Sequence, residues 1–262
     1  MTKKVFLWTA PRCISTAFER SIMEINHSKI FHEPYSRSYY FGPERQSCRY
    51  ESSPVDLKAS YLDTCKKLTK EFDGIEVIFS KDMAYAIENH FDEMLKDELK
   101  NFQHTFLIRN PKKTVVSLYK ASVNTQLTGW DFFDPVEAGF KQMYDLYQFI
   151  INRLDQQPVI IDADDLLANP AETMEAYCKV TNLPFDENML KWEPGPILDW
   201  DVWNGWHDSA LKSSGFTKHD VQQLQNFENL DDYPLEVQSC VKECQVYYEF
   251  LRTRKTEPTN TC

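Results

Sequence analysis

Glycine is scarce in this chain, which has only 7 glycines and 13 prolines among 262 residues. This composition excludes collagen-like and low-complexity chains. The sequence also lacks any run of about 18 apolar residues, the length that a membrane-spanning helix needs, and its first apolar run is far too short for a signal peptide. Hydrophobic residues nevertheless make up 42% of the chain and aromatic residues 14%, so we expect a folded protein with a sizeable core and no membrane partner.

The cysteines do not follow the spacing of a disulfide framework or of a metal site. The seven cysteines are odd in number and show neither disulfide-framework nor zinc-site spacing. Cys240 and Cys244 are one helical turn apart, but no second pair faces them that would complete a metal site. This usage is typical of reduced thiols in a cytoplasmic protein, and we expect no bound metal.

Basic residues are fewer than acidic ones: the chain has 29 basic and 40 acidic residues, and its formal net charge is −11. This balance disfavours non-specific binding to nucleic acids or to anionic membranes. The charge is uneven, however: residues 104–120 contain four cations and no acid, whereas residues 162–208 contain eleven acids and two lysines. We interpret the basic window as an anion site beyond the carboxyl end of a strand; the alternative is a solvated basic helix face.

Short apolar runs alternate with helical patterns along the chain, which is typical of a parallel sheet with right-handed crossovers. Apolar runs predict strands at residues 5–8, 28–32, 75–80, 105–108 and 158–161. Helical spacing predicts helices at residues 14–25, 57–72, 84–99, 111–122, 135–154, 171–181 and 234–254. We therefore expect a three-layer α/β/α protein with a central parallel sheet, built as a single domain over residues 1–262. The turn-rich, aromatic residues 36–56 are expected to form a loop or lid.

The turn after the first predicted strand has the chemistry of a phosphate site. Its residues 9–17 read TAPRCISTA and supply one cation and two neighbouring hydroxyls. Arg12 offers forked donors to phosphate or sulfate oxygens, Ser15 and Thr16 offer hydroxyl donors, and the free N–H groups of the next helix favour an anion. The two glycines of a Walker A loop are absent. A P-loop kinase or NTPase stays an alternative, because Asp162 follows a predicted strand and could bind magnesium.

Two motifs resemble those of sulfotransferases that use 3′-phosphoadenosine 5′-phosphosulfate (PAPS). Residues 11–16 (PRCIST) resemble the family's 5′-phosphosulfate loop. Residues 106–119 (FLIRNPKKTVVSLY) resemble its 3′-phosphate motif, in which a strand ends in Arg-Asp/Asn-Pro and a serine follows eight residues after the arginine. This pair of motifs, at these relative positions, identifies the chain as similar to that family.

Later segments extend the resemblance over residues 3–220. Residues 160–170 (IIDADDLLANP) with the later Leu183-Pro184 are similar to the family's strand, acidic "DL" and helix segment, in which Asp162 is structural. Trp206-His207 and residues 213–216 (SSGF) resemble the late cofactor-covering loop. That loop departs from the Arg-Lys-Gly form of the cytosolic enzymes and resembles an outlying branch with a Ser-Ser/Thr-Gly-Phe segment.

The resemblance implies a P-loop NTPase-like sulfotransferase fold and transfer of a sulfuryl group from PAPS to a hydroxyl or amine of a small-molecule acceptor. The product would be 3′,5′-adenosine bisphosphate (PAP). No metal is implied, because positioning and charge stabilisation dominate such chemistry. Arg109 and Ser117 would bind the 3′-phosphate. The cofactor-binding residues implied in this way are Arg12, Cys13, Ile14, Ser15, Thr16, Ala17, Arg109, Ser117, Ser214, Gly215 and Phe216.

The catalytic residues match the family less fully. The family places a lysine near the transferred group, and Lys81, which follows a predicted strand, is the natural candidate. The cytosolic enzymes take the acceptor's proton with a histidine two residues later, where this chain has Met83. The base must therefore come from elsewhere, with Glu33 as the first candidate, His32 as the second and Asp82 as the third.

Aromatic residues are candidates for the wall of an acceptor pocket, although ordinary core packing is the alternative. These candidates are Tyr35, Tyr39, Tyr40, Phe41, Trp130, Phe132, Phe133, Trp200, Trp203 and Trp206. Because the family's histidine is missing, a non-catalytic nucleotide-binding homologue also stays an alternative. The expected partner is a small-molecule acceptor, and a homodimer is kept open.

Overall fold

The computed structural model describes residues 2–203 and 205–256. Five strands of this part of the chain form one sheet in which all neighbours are parallel, in the order β2-β3-β1-β4-β5. The strands are β1 (Lys3–Thr9), β2 (Ser28–His32), β3 (Val77–Met83), β4 (Gln103–Ile108) and β5 (Val159–Asp162).

Helices connect and flank these strands. The α-helices are α1 (Ser15–Met23), α2 (Pro34–Phe41), α3 (Tyr61–Thr69), α4 (Pro111–Ser122), α5 (Thr125–Thr128), α6 (Phe140–Phe149), α7 (Ala163–Ala168), α8 (Pro170–Thr181), α9 (Asp208–Lys212), α10 (Val221–Leu224) and α11 (Leu235–Arg252). The 3₁₀ segments are Ala84–Leu95, Pro135–Ala138, Glu187–Leu190, Leu198–Trp203 and Leu230–Asp232, and a π-helical turn spans Ile150–Leu154. Among the described residues, no helix combines the length and apolarity needed to cross a membrane.

The central strands are buried on both faces of the sheet. Every residue from Val5 to Thr9 in β1 and from Val77 to Met83 in β3 is buried. Burial on both faces explains why parallel strands read as continuous apolar runs rather than as alternating ones. These observations confirm the predicted α/β fold. A single hydrophobic cluster extends from Val5 to Leu251, which favours one domain, although the single domain stays a prediction.

Strand β3 extends further than its sequence predicted. The apolar run at residues 75–80 predicted an end before Lys81, but the strand continues through Lys81 and Asp82 to Met83. Lys81 is paired in register with Leu7 of β1 and with His32 of β2, and its residue is 0% exposed. The hydrophobic pattern does not predict this extension, because Lys81 and Asp82 are charged.

The sequence predicts a loop or lid over residues 36–56. The structure differs, because the first part of this segment belongs to helix α2. Asp82 provides a distant cap for this helix: its carboxylate accepts hydrogen bonds from the backbone N–H groups of Tyr35, at 2.5 Å, and Ser36, at 3.0 Å. The Ser36 hydroxyl also donates to Asp82, at 2.7 Å. The capping side chain lies 46 positions away in sequence, so the local signal for the start of the helix is Pro34 at its first position.

The order of the strands creates a crevice between β1 and β4. From β1 the chain passes to β2 on one side of the sheet, and from β4 it passes to β5 on the other side. Adjacent strands whose connections diverge in this way form a topological switch point, where open α/β sheets bind ligands. The turn at residues 10–14 follows β1 and residues 109–110 follow β4, so the sheet brings the two sequence motifs to one place.

Candidate active site

A cavity of about 550 Å³ opens along the carboxyl edge of the sheet, a volume within the usual range for small-molecule sites. Its wall passes from the end of β3, across the turns after β1 and β4, to the segments around α9. The charged side chains in its described wall are Arg12 and Arg109 near the switch point, and Glu33 and Glu137 near β3. The cavity therefore has a cationic end and an end that carries carboxylates.

The turn between β1 and α1 is shaped by left-handed backbone. Arg12 has a φ of 68° and Ile14 a φ of 59°, and for a β-branched residue such a φ is an outlier. Strain of this kind persists only where the surrounding structure holds it, and it clusters at functional sites. The backbone N–H groups of residues 12–17 form no hydrogen bond with any other described residue. Unpaired amides at a helix start are typical of an anion site.

Cys13 differs from its neighbours in this turn. Five of the six residues predicted to bind the nucleotide here line the cavity, namely Arg12, Ile14, Ser15, Thr16 and Ala17. Cys13 is 0% exposed and is absent from the cavity wall. Burial raises the pKa of its thiol to about 12, so the side chain is an uncharged packing group. Only the backbone amide of Cys13 is therefore available for the predicted contact with the nucleotide.

The arginines of the two motifs lie side by side in one cavity. Arg109 Nη1 donates to the carbonyl oxygen of Arg12, at 3.2 Å, and Arg12 Nε donates to Ser117 Oγ, at 2.9 Å. Burial, together with the positive charge of Arg109, lowers the pKa of Arg12. Within residues 2–203 and 205–256, Arg12 has no ion-pair partner, whereas Arg109 Nε lies 3.7 Å from Asp164. Two adjoining cations, of which only Arg109 has a carboxylate within 4 Å among the described residues, favour an anion.

The late segment closes the cavity on the β5 side. Gly215 and Phe216, which are predicted to bind the cofactor, line the cavity. Ser214 does not line it; its carbonyl accepts a hydrogen bond from the backbone N–H of Trp192, at 3.2 Å. Gly215 has a φ of 151° and pairs with Lys191. A Cβ at this glycine would lie 2.5 Å from the carbonyl oxygen of Leu190, so only glycine permits this close packing.

Of the three candidate bases, Glu33 is the one that lies in the described cavity wall. Its backbone is left-handed, with a φ of 46°, and its Oε1 accepts a hydrogen bond from Lys81 Nζ, at 2.5 Å. Lys81 does not line the cavity. Although burial lowers the pKa of Lys81, Glu33 and Glu19 raise it above its ordinary value. Lys81 is thus a buried ammonium that is paired with Glu33. It lies behind Glu33 and outside the cavity wall, whereas the sequence predicts it near the transferred group.

His32 lies behind Glu33 in a network that sequence reasoning did not foresee. Its Nδ1 is 2.8 Å from Glu19 Oε2, and its Nε2 is 3.0 Å from His207 Nε2. His207 lines the cavity and its Nδ1 is 3.2 Å from Thr16 Oγ1. Burial, with the nearby charges of Lys81, His32 and Arg12, lowers the pKa of His207. Glu19 had no signal in the sequence, and His207 had only its place beside Trp206 in the late motif.

Two aspartates considered from the sequence do not line the cavity. Asp82, the third candidate base, caps α2 instead; burial raises its pKa to about 7. Asp162, the magnesium ligand of the kinase alternative, caps α7 by accepting from the Asp164 N–H, at 2.9 Å. Its other oxygen accepts from the Tyr248 hydroxyl, at 2.8 Å. Both Asp162 oxygens are therefore engaged in local structure, as in the structural role that the family resemblance implied.

Among the described residues, one group of side chains has ligand atoms close enough together for a metal ion. His32, Glu33 and His207 each offer one ligand atom, and these atoms lie within 4.8 Å of one another. The Lys81 ammonium contacts the same Glu33 oxygen at 2.5 Å. A second cation at that oxygen would be repelled strongly in this buried position, so the geometry fits hydrogen-bond and proton chemistry better than metal binding.

Aromatic rings form the β3 end of the cavity. Of the ten aromatic candidates, four line the wall, namely Tyr40, Trp130, Trp203 and Trp206, and Tyr85 joins them without having been predicted. Neighbouring rings meet at steep angles: the Tyr40 and Trp203 centroids are 5.5 Å apart at 68°, and those of Trp130 and Trp206 are 4.5 Å apart at 63°. Tyr35, by contrast, is a core residue at 0% exposure. The result is an angular, largely apolar wall.

A buried ion pair supports this aromatic wall. Arg49 donates to both carboxylate oxygens of Glu137, at 2.6 and 2.5 Å, and the two side chains are 2% and 1% exposed. The guanidinium stacks on Trp130, 3.6 Å from the ring centroid, and the Tyr40 hydroxyl donates to Glu137, at 2.9 Å. The pair therefore fixes the segment that follows α2 against the segment that precedes α6.

A comparison with protein-family models decides the family. The model described as "Sulfotransferase domain" matches residues 3–233, which is most of the chain. The chain belongs to the sulfotransferase domain family. This membership confirms the resemblance seen in the two motifs, and it supports sulfotransferase activity in general.

The curated relatives are similar in part of their length. The chain is 28% identical over 262 residues to the branched-chain-amino-acid aminotransferase-like protein 2 of Arabidopsis thaliana, covering 95% of this chain and 41% of that protein. It is 28% identical over 218 residues to the like-named protein 1 of the same plant, covering 80% and 36%. The chain thus spans about two fifths of the relatives it matches.

Solved structures share the fold at low sequence identity. The sulfotransferase domain from the curacin biosynthetic pathway superposes with a TM-score of 0.57 at 15% identity, covering 92% of this chain and 97% of that one. A sulfotransferase from Alicyclobacillus acidocaldarius gives a TM-score of 0.50 at 14% identity, covering 72% and 89%. These likenesses confirm the predicted sulfotransferase-type α/β fold.

Proposed function

We propose that the chain transfers a sulfuryl group from PAPS to a hydroxyl or amine of a small acceptor. The observation that carries the proposal is the meeting of Arg12 and Arg109 beside the unpaired amides of residues 12–17 in one cavity. In the proposal the 5′-phosphosulfate binds in the Arg12 turn, and Arg109 and Ser117 bind the 3′-phosphate. The kinase alternative loses support because Asp162 is engaged elsewhere.

In the proposed transfer, the Arg12 turn stabilises the developing charge and Glu33 accepts a proton. The acceptor oxygen forms a bond to sulfur while the bond from sulfur to the 5′-phosphate oxygen breaks, and PAP leaves with both electrons of that bond. The charge that develops on the phosphate is stabilised by Arg12 and the helix amides. The acceptor's proton passes to Glu33, which lines the cavity. Proton arrival removes the Glu33 charge, and Lys81 keeps a second partner in Glu19, at 3.5 Å.

The acceptor end of the cavity favours uncharged, planar acceptors. Its described wall holds the aromatic rings and two carboxylates, and each carboxylate already has its own cation, Lys81 for Glu33 and Arg49 for Glu137. The two arginines of the wall lie at the donor end, so no cation is left to bind an acidic acceptor. Flat rings that meet at steep angles suit a phenol or a ring-bearing alcohol.

Transfer of radiolabelled sulfate from PAPS tests the function. With a panel of small phenols, ring-bearing alcohols and amines, the chain is expected to label at least one acceptor in the presence of EDTA, and carboxylated analogues are expected to be poor substrates. Binding of PAP without transfer to any acceptor would instead support the non-catalytic homologue. ATP binding that requires magnesium would support the kinase.

Replacing Glu33 with glutamine should lower kcat by about 10²- to 10⁴-fold, the usual contribution of a general base. The affinity for PAP should stay within about twofold, because Glu33 lies at the acceptor end. The matched control is Glu44→Gln, an exposed glutamate outside the cavity wall, which should turn over normally. Full activity of the Glu33→Gln variant would transfer the base role to another group.

A further inference from the structure

Three hydrogen-bonded side chains in the aromatic wall form a polar chain to which the proposed transfer gives no role. We call Tyr85, Tyr40 and Glu137 the Tyr85 chain. The hydroxyl oxygens of Tyr85 and Tyr40 are 3.0 Å apart, and the Tyr40 hydroxyl lies 2.9 Å from Glu137 Oε1. All three residues line the cavity. The acceptor end therefore carries an ordered polar group besides Glu33.

Glu137 fixes the direction of the hydrogen bonds in the Tyr85 chain. Burial raises the pKa of Glu137, but both of its oxygens accept hydrogen bonds from Arg49, at 2.6 and 2.5 Å, which is the geometry of an ionised carboxylate on a guanidinium. Because such a carboxylate has no proton to donate, Tyr40 donates its only proton to Glu137. The Tyr40 oxygen then takes part in the 3.0 Å link as the acceptor, and Tyr85 is the donor.

The Tyr85 hydroxyl is left with lone pairs only. Burial raises the pKa of Tyr40 and of Tyr85 well above the ordinary value, so each is a neutral phenol with one proton. Both protons are donated within the chain, and what Tyr85 still offers is the acceptor capacity of its oxygen. A ligand group that meets this oxygen must bring a proton of its own, because two oxygens without a proton between them leave a hydrogen bond unmade and repel each other.

The Tyr85 chain and the candidate base lie at the same end of the cavity. Tyr85 is two residues beyond Met83, at which β3 ends, and Glu33 follows the neighbouring strand β2. Besides burial, the negative charges of Glu137 and Glu33 raise the pKa of Tyr85, which requires that these groups lie near one another. An acceptor whose reacting hydroxyl or amine faces Glu33 is therefore able to present a second group to Tyr85.

We propose that Tyr85 is a specificity-determining residue that selects acceptors with a second hydrogen-bond donor, a hydroxyl or an N–H, besides the group that receives the sulfuryl group. This inference rests on the proposed sulfuryl transfer and narrows its acceptor class to aromatic diols and their amino counterparts. The second group donates to the Tyr85 oxygen while the reacting group passes its proton to Glu33. Acceptors whose second polar group has lone pairs but no proton, such as an ether, are disfavoured.

Matched pairs of acceptors test the inference. Each pair is a dihydroxybenzene (catechol, resorcinol or hydroquinone) and its monomethyl ether, which keeps the ring and one reacting hydroxyl but lacks the second donor. For at least one pair, the wild type should have a kcat/KM about 10- to 100-fold higher for the diol, counted per reacting hydroxyl. Tyr85→Phe removes only the oxygen and should bring this ratio to within about threefold of one. The change should lie mainly in KM, because the contact is the same in the ground state and in the transition state.

Two further variants separate the direction of the hydrogen bonds from packing. Tyr40→Phe keeps the Tyr85 oxygen but frees its proton, so Tyr85 becomes able to donate to an ether. In this variant the ratio should fall because kcat/KM for the methyl ether rises, whereas Tyr85→Phe lowers the ratio by reducing kcat/KM for the diol. Tyr39→Phe is the matched control, since the Tyr39 ring packs 5.2 Å from the Tyr85 ring but does not line the cavity. Its ratio should equal that of the wild type.

Calorimetric binding of the same pairs to the whole chain, with PAP present, gives a readout that needs no turnover. The wild type should bind the diol of the selected pair about 10-fold more tightly than its methyl ether, and Tyr85→Phe should bind both alike. A wild-type ratio near one for every pair, or a ratio that survives Tyr85→Phe, would overturn the selection by Tyr85 while sulfuryl transfer stands. Selective binding of diols without transfer to any of them would overturn the proposed function and leave the selection in place. Absence of both binding and transfer for every pair would overturn both.

Discussion

Replacing Arg12 with alanine should weaken PAP binding by about 10²- to 10³-fold, equivalent to about 3–4 kcal/mol. Arg12 lies in the left-handed turn with its Nε on Ser117, and it has no ion-pair partner in the described residues. Its charge is therefore available to a ligand. Loss of a charged donor from a partly buried site costs more than loss of an exposed one, because less water screens it. Isothermal calorimetry of PAP binding measures the effect.

Two further variants separate charge from geometry at this position. Arg12→Lys keeps the positive charge but loses the planar fork that fits a phosphate, so it should recover only part of the affinity. Lys112→Ala removes an exposed cation of the same basic window, one that does not line the cavity, and should change the affinity by less than about threefold at physiological salt. Equal losses for Arg12→Ala and Lys112→Ala would show that only the general basic potential matters.

Replacing Arg49 with methionine should lower the free energy of unfolding by about 3–5 kcal/mol, because the substitution leaves the buried Glu137 carboxylate without its cation and with only the Tyr40 hydroxyl as a donor. Both side chains are almost completely buried, and the guanidinium makes two hydrogen bonds to Glu137 and stacks on Trp130. Urea unfolding followed by circular dichroism measures the change as a lower midpoint at constant slope. The aromatic wall should loosen in parallel, which raises KM for the acceptor.

A neighbouring arginine supplies the control for this prediction. Arg37 pairs with Asp56 at 2.7 Å, but the side chains are 46% and 26% exposed, so Arg37→Met should cost less than about 1 kcal/mol. The double variant Arg49→Met, Glu137→Leu should regain much of the loss, since it removes the stranded charge. An Arg49→Met variant as stable as Arg37→Met would show that the buried pair contributes little.

Local patterns were sufficient to predict the central sheet and the two phosphate motifs. Apolar runs marked β1, β3 and β5 most clearly, because strands buried on both faces must be continuously hydrophobic. Arg109 immediately follows such a strand and Arg12 lies in the turn after another, and parallel strands end at one edge of the sheet. The strand order then brought the two arginines together, which their separation of 97 residues does not reveal by itself.

The remaining features depend on contacts between distant residues. The link from His32 to His207 joins positions 175 residues apart, and the pair of Arg49 and Glu137 joins positions 88 residues apart. No periodicity or turn signal encodes such contacts, because each partner alone reads as an ordinary polar residue. The misplacement of Lys81 has the same origin: its buried cation is paired with Glu33 and Glu19, which are distant in sequence.

The central claim is that the turns after β1 and β4 bind opposite ends of one nucleotide. It is tested most directly by comparing two ligands, with and without the 3′-phosphate, on the wild type and on one variant. Calorimetry in EDTA compares PAP with 5′-AMP, which lacks the 3′-phosphate, on the wild type and on Arg109→Ala. The wild type should bind PAP about 10²-fold more tightly than AMP, and Arg109→Ala should remove most of that difference while AMP affinity changes little. Equal affinities of the wild type for PAP and AMP, or an undiminished difference in Arg109→Ala, would contradict the account.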